Sequence, residues 1–259
     1  MNNPTENEID DLFDRYQKGQ YDEAEKLAKS IIQKYPNHAF SWKVLGAVFK
    51  NTGKLQDSLV ANRKAVELVP TDAAAHNNLG ITLQELLMLD EAEKCYRRAI
   101  DLSPEFSEAH NNLGVTLQER GNLADAEQSY KNTISINADF IQAHYNLGIT
   151  LQELGRFEEA TESYKKAIAI HPNHPDAHYN LGNTYKEFNR LEEAELSYRK
   201  ALELNPNFAN AFNNLGIVLQ EFGKLEESEA CYRKAISMNS EFSEAHSNLG
   251  NILKELLRL

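Results

Sequence analysis

Few side chains in this chain are equipped for chemistry, and their spacing argues against most of it. The two cysteines, Cys95 and Cys231, lie 136 residues apart, four multiples of 34. Four helical units packed at ~8–10 Å spacing would separate them by about 30 Å or more, against the ~7 Å between Cα atoms that a disulfide tolerates. Two half-buried thiols with no redox or catalytic role are expected. The one local cluster with ligand-like spacing is His171, His174 and His178. Pro172 and Pro175 are expected to hold His171 and His174 in extended, solvent-facing turns, so no metal site is expected there. No phosphate-cradling glycine loop, nucleophile elbow, HExxH or CxxC occurs. The reading is therefore non-enzymatic, without cofactor or metal. What remains is a row of amides: Asn78, Asn112, Asn146, Asn180, Asn214 and Asn248 recur at a fixed interval of 34.

Composition narrows the partners. Of 259 residues, 27 are Lys or Arg and 39 Asp or Glu, a formal charge of −12. Phosphate affinity comes largely from Lys and Arg, so nucleic acid and anionic membrane surfaces are disfavoured. A hydrophobic fraction of 41% is too high for a disordered chain. No apolar run approaches the ~18 residues of a membrane span. The acidic start MNNPTENEIDD lacks the apolar core of a signal peptide. These features point to a soluble, cytoplasmic protein.

The interval of 34 organises the whole chain. Leu-Gly recurs at 45–46, 79–80, 113–114, 147–148, 181–182, 215–216 and 249–250. With Gly46 as position 8, units start at 5, 39, 73, 107, 141, 175, 209 and 243. Position 20 is Ala or Ser, from Ala24 to Ser228; position 24 is Tyr from Tyr96 to Tyr232; position 27 is mostly Ala; position 32 is mostly Pro. Small residues at 8, 20 and 27 allow close backbone approach, and the ring at 24 fills the space between.

Trp42-Leu45-Gly46-Phe49…Ser58…Ala65…Pro70 and His76-Leu79-Gly80-Leu83…Ala92…Tyr96…Ala99…Pro104 resemble the tetratricopeptide repeat (TPR) signature. The resemblance spans residues 5–259. It implies an all-α right-handed solenoid of helix-turn-helix repeats, a single array of seven full units and a terminal helix, 243–259. Unit 1 carries Asp11-Leu12 in place of Leu-Gly, as a polar cap would. Unit 3 has Leu87 where most units place a turn glycine, and position 4 is usually His rather than Trp. The leucine-rich end at 256–259 stops in mid-unit, which favours the front portion of a longer protein over a solvating cap.

Each unit should be two antiparallel helices, A (positions ~1–14) and B (~17–31). At about 100° per residue, positions 4, 7, 8 and 11 of helix A share the packed arc, and 2, 5, 6, 9, 12 and 13 the opposite one. In the family that second face lines a concave groove. Here it carries the position-6 asparagines, then Asn77, Asn111, Tyr145, Tyr179 and Asn213 at position 5, Asn183 at position 9, and Lys186 at position 12 in a row otherwise mostly Gln. Position 13 is an unbroken glutamate row, Glu85 to Glu255. Asparagine is a poor helix former, so six in line need a reason. A primary amide donates and accepts and can hold a peptide backbone; the groove of O-linked N-acetylglucosamine transferases is similar. Inter-repeat hydrogen bonds or copying during duplication are alternatives.

Chaperone-binding TPR domains use a carboxylate clamp of Lys and Arg, which the glutamate row argues against. An extended neutral or basic protein segment is the expected partner. A strand advances about 3.3 Å per residue and successive A helices about 10 Å, so one amide per unit would meet about every third residue. On helix B, acidic starts, basic ends and the i,i+4 pairs Glu93–Arg97, Glu127–Lys131, Glu195–Arg199 and Glu229–Arg233 read as helix stabilisation. Two other roles stand beside peptide binding. One is the recognition arm of a larger enzyme, since similar bacterial-type arrays precede glycosyltransferase or sulfotransferase domains. The other is end-to-end self-association through Leu256, Leu257 and Leu259.

Overall fold

The computed structural model describes residues 3–257, and among these every regular element is an α-helix. The chain divides between Ala138 and Asp139 into two compact units. The first holds α1 (Glu6–Gln17), α2 (Tyr21–Lys34), α3 (Ala39–Asn51), α4 (Leu55–Leu68), α5 (Ala73–Glu85), α6 (Leu89–Leu102), α7 (Ser107–Glu119) and α8 (Leu123–Ile136). The second holds α9 (Ile141–Glu153), α10 (Phe157–Ile170), α11 (Pro175–Glu187), α12 (Leu191–Leu204), α13 (Ala209–Glu221), α14 (Leu225–Met238) and α15 (Ser243–Leu256). Odd-numbered helices are A, even-numbered B. The all-α helical-repeat expectation is borne out. The terminal-helix residues Arg258 and Leu259 lie outside the described residues.

Within each unit a helix A packs most closely on its own B, and that B packs on the next A. Successive A helices also touch, α1 to α3 to α5 to α7 in one unit and α9 to α11 to α13 to α15 in the other. Among the described residues, successive B helices do not come within the same contact distance. This asymmetry bends each unit with its A helices on the inner side.

The A–B contact is a size exchange. An added Cβ at Gly80, Gly114, Gly148 or Gly216 would lie 2.6 Å from the Cε1 of Tyr96, Tyr130, Tyr164 or Tyr232. Those four rings and Tyr198 are fully buried, each worth roughly 2–3 kcal/mol of apolar transfer. Repeat 1 reverses the sizes, with Leu12 at position 8 facing a contact that has Ala28 at position 24, both fully buried. Unit 1's departure from Leu-Gly is thus a complementary pair.

Turn chemistry explains position 15. Gly19, Gly53, Gly121, Gly155 and Gly223 have φ between 71° and 78°, and Leu87 and Asn189 occupy the same left-handed region at 59° and 55°. Asparagine tolerates it; leucine pays a steric cost there. Position 4 has its own logic. Trp42 Nε1 donates to Pro36 O at 2.8 Å, and the Nε2 atoms of His76, His110, His178 and His246 lie 2.9–3.0 Å from the carbonyls of Pro70, Pro104, Pro172 and Ser240. A carbonyl only accepts, so each imidazole is the donor. Either ring works because either offers an N–H. The four helix-B ion pairs are present, at 2.6–2.8 Å.

Candidate functional site

The inner face of each unit is a wall of A helices, and position 6 runs along it half-buried. Its amides are not idle. Asn112 Nδ2 donates to Asn77 Oδ1 at 3.1 Å and Asn248 Nδ2 to Asn213 Oδ1 at 3.1 Å. Asn180 Nδ2 donates to the Tyr145 hydroxyl at 3.2 Å, and Asn214 Nδ2 to the Tyr179 hydroxyl at 3.3 Å and to Asn183 Oδ1 at 2.8 Å. Each bond joins one repeat to the one before it, so the alternative of inter-repeat ties is realised. The tie takes an N–H and leaves acceptor capacity on the amide oxygen. Asn146 is half-buried at the same position in α9. Asn78 is different: its predecessor at position 5 is Lys43, which pairs with Asp72 at 2.6 Å instead.

The structure corrects the placement of position 5. Asn77, Asn111 and Asn213 are 6%, 8% and 1% exposed, so they sit between helices and present no surface to a guest. The 100° arc omits the neighbouring A helix, which meets this position at Asn77 and Asn213. A tyrosine is too long to be covered in this way. Tyr145 and Tyr179 stay half-buried, their rings 4.8 Å from His174 and 4.7 Å from Phe208. Burial raises the Tyr145 pKa, keeping its hydroxyl protonated.

The glutamine row was underestimated by sequence reasoning. Tyr96, Tyr130, Tyr164 and Tyr232 donate through their hydroxyls to Gln84, Gln118, Gln152 and Gln220 at 3.0–3.3 Å. Gln84 and Gln220 in turn donate to Glu119 and Glu255 of the next repeat. Where Lys186 replaces glutamine, the Tyr198 hydroxyl turns to Asn183 Oδ1 at 2.8 Å. Position 12 is therefore the outer end of the buried tyrosine. The signal was available in repeat 2, where Asn62 stands at position 24 and Lys50 at position 12. Lys186 is half-buried and has no carboxylate within ion-pair reach among the described residues. The glutamates of position 13 are exposed.

Elsewhere the chemistry is structural. His174 Nδ1 accepts the Ala177 N–H at 3.3 Å, capping α11, and desolvation lowers its pKa. It is half-buried rather than solvent-facing, because Tyr145 stacks on it; His171 is exposed. Among the described residues no three metal-ligating side chains converge. Cys95 and Cys231 are free and half-buried, and burial pushes each thiol up to about 11. A cavity of about 580 Å³ over α7, lined by Arg97, Asp101, Asp125 and Asn132 among others, opens between α6 and α8 and away from the amide row. Among the described residues no helix is long and apolar enough to cross a membrane.

Stacked helical hairpins with a patterned inner wall define a repeat solenoid. Models described as tetratricopeptide repeat match residues 14–38, 73–106, 95–128, 139–207 and 197–230, together more than half of the chain, and the chain belongs to that family. Among solved structures, YrrB, described as a TPR protein with an unusual peptide-binding site, is 22% identical with a TM-score of 0.62, covering 72% of this chain and 96% of its own. PilF of Pseudomonas aeruginosa is 18% identical with a TM-score of 0.74, covering 82% and 97%. MamA is 28% identical with a TM-score of 0.56, covering 61% and 92%. No curated protein matches the chain.

Proposed function

We propose that the protein is a non-catalytic scaffold that holds extended protein segments against the inner walls of its repeat units. The single observation that carries this reading is the amide row: Asn112, Asn180, Asn214 and Asn248 are each fixed by a bond to the preceding repeat through an N–H, which leaves acceptor capacity on the amide oxygen for a guest backbone. Pre-fixed side chains lose little entropy on binding. The guest-facing set is Asn78, Asn112, Asn146, Asn180, Asn214 and Asn248, with Tyr145, Tyr179 and Lys186; Asn183 holds Asn214. The exposed glutamates favour a neutral or basic guest and disfavour an acidic tail. The peptide-binding site of YrrB supports the same use of the fold. Similarity to the O-linked N-acetylglucosamine transferase groove, and a role as the recognition arm of an enzyme, belong to this reading only as alternatives.

The test is shape selection. A flexible basic peptide drawn from a random nine-residue library should bind the full chain, and the same sequence stapled into a helix should not. Equal binding of both forms would overturn the reading. End-to-end association is a second reading, favoured by α15: Leu257 is 88% exposed, and nothing lies within 4 Å of a Cβ at Gly250, where the six earlier position-8 glycines each meet a side chain. Light scattering across a concentration series decides it, and Leu259 of that patch lies outside the described residues.

A further inference from the structure

Successive B helices are bridged unevenly. Where arginine at position 25 of one repeat meets glutamate at position 19 of the next, an ion pair crosses between them. Arg63 of α4 reaches Glu91 of α6 at 2.9 Å, and Arg199 of α12 reaches Glu227 of α14 at 3.1 Å. Between α6 and α8 the arginine is Arg97 but the acid is Asp125, one methylene shorter. Arg97 stays on Glu93 of its own helix at 2.8 Å and does not pair with Asp125. Position 26 changes in the same repeat. Where sister repeats carry Lys64, Arg98, Lys166, Lys200 and Lys234, repeat 4 has half-buried Asn132, which is shorter and uncharged.

The unbridged cleft is the cavity of about 580 Å³ over α7, a volume in the range of ligand sites. Its apolar floor is Leu113 and Leu117, both buried, with half-buried Ile100 on the α6 side. Asp101 and Asp125 stand exposed on its two walls, α6 and α8, and neither has an ion-pair partner among the described residues. His110 lines the same cleft and is 8% exposed. Its Nε2 donates to the Pro104 carbonyl, which leaves Nδ1 a bare acceptor. Among the described residues the unpaired side-chain polar atoms closed to solvent are Asn62 Oδ1 and Asn111 Oδ1, so the Nδ1 lone pair is not sealed. Gln128 Nε2 is spent on Asn132 Oδ1 at 2.9 Å, and Gln128 Oε1 is left as a further acceptor. Arg97, the cation on the lining, has its charge met by Glu93. The cleft presents acceptors and negative charge over an apolar floor.

We propose that this outer cleft receives an arginine side chain of a partner protein, a second binding face that does not depend on the inner-wall reading. A guanidinium brings five N–H donors in one plane and no acceptor, which matches a carboxylate on each wall and a neutral nitrogen below them. It is more weakly hydrated than an ammonium, and its methylene stem can cover the leucine floor. An anionic guest would meet Asp101 and Asp125 with like charge. Five sister repeats hold their own cation at position 26, and at repeat 4 the guest supplies it.

The first test titrates Nα-acetylarginine amide into the full chain and follows the His110 ring and the Leu113 and Leu117 methyl resonances. These should shift saturably. Nα-acetylcitrulline amide, the neutral isostere, should bind at least about fivefold more weakly, the difference between a charge-assisted and a neutral hydrogen bond. Asp101→Asn with Asp125→Asn, isosteric changes at exposed positions, should weaken the arginine derivative by a similar factor. Asp125→Glu with Asn132→Lys, which restores the residues of the sister repeats, should close the cleft and abolish the shift. No saturable shift, equal binding of the citrulline derivative, or a shift that survives the restoring pair overturns the cleft. The second test selects a random nine-residue library on the wild-type chain and on the restoring pair. Arginine-bearing peptides should be enriched by the wild type and bind the restoring pair at least about tenfold more weakly. The same peptides recovered equally on both overturn the protein partner and leave the inner-wall reading intact.

Discussion

The two units build the same rung from different parts. In the first, Asn112 ties back to the amide of Asn77; in the second, Asn180 and Asn214 tie back to the hydroxyls of Tyr145 and Tyr179, and only the last rung, Asn248, returns to an amide, that of Asn213. Backbone and spacing are alike, so position 5 alone decides what the inner wall presents. An asparagine there is swallowed between helices, at 6% exposure for Asn77. A tyrosine is not, and it stands beside His174 or Phe208 as an aromatic ledge. The first unit thus offers mainly amides, and the second adds rings.

The largest effect should come from blocking the contact that both units share. Gly148→Leu would drive its side chain into Tyr164, whose Cε1 lies 2.6 Å from the added Cβ, at a cost of about 3 kcal/mol or more. Hydrogen exchange should rise around α9 and α10 while α1 to α4 keep their protection, as in a quasi-one-dimensional array. Uniform loss along the chain would contradict that. Next is the contrast between the walls. Tyr145→Ala with Tyr179→Ala should weaken a selected peptide by about 2 kcal/mol, the scale of an aromatic anchor. Asn77→Ala with Asn111→Ala should cost well under ~1 kcal/mol of binding, because those side chains are covered. Equal losses would erase the distinction between the units.

Smaller effects sharpen it. Asn62→Tyr should stabilise the first unit by about 1–2 kcal/mol by filling the small cavity beside Asn62 and removing its buried unpaired oxygen, seen as a raised Tm. Leu87→Gly should gain about 1 kcal/mol, since leucine carries a positive φ there, and Asn189→Gly in the second unit should gain less. Chemical denaturation of the two variants side by side reads that order.

The repeat length and the helix pairs were legible because a period of 34 states them seven times over, and the glycine–tyrosine exchange because it recurs in five of those repeats. The helix-B ion pairs were legible for the same reason, being local in sequence. The inner wall was read less well. A helical wheel sees one helix, and Asn77 and Asn213 are covered by a second one 34 residues on. The wheel also gave the position-6 row no internal partner, whereas the i−35 residue provides one. The glutamine row was misplaced for want of the same long-range link, its tie to the tyrosine of its own repeat. Departures from the repeat proved the more informative: Leu12 with Ala28, Asn183 with Lys186, and Asp125 with Asn132 each change in pairs.

The central claim is that the position-6 amides hold the guest. The direct measurement changes Asn112, Asn146, Asn180 and Asn214 to Ala together and follows a fluorescently labelled library-selected peptide by anisotropy, with circular dichroism alongside. Alanine's better helix propensity offsets the lost inter-repeat bonds, each worth about 0.5–1.5 kcal/mol, so helicity should hold while affinity falls at least about tenfold. Unchanged affinity with the helices intact would contradict the account and leave the amides as ties between repeats and nothing more.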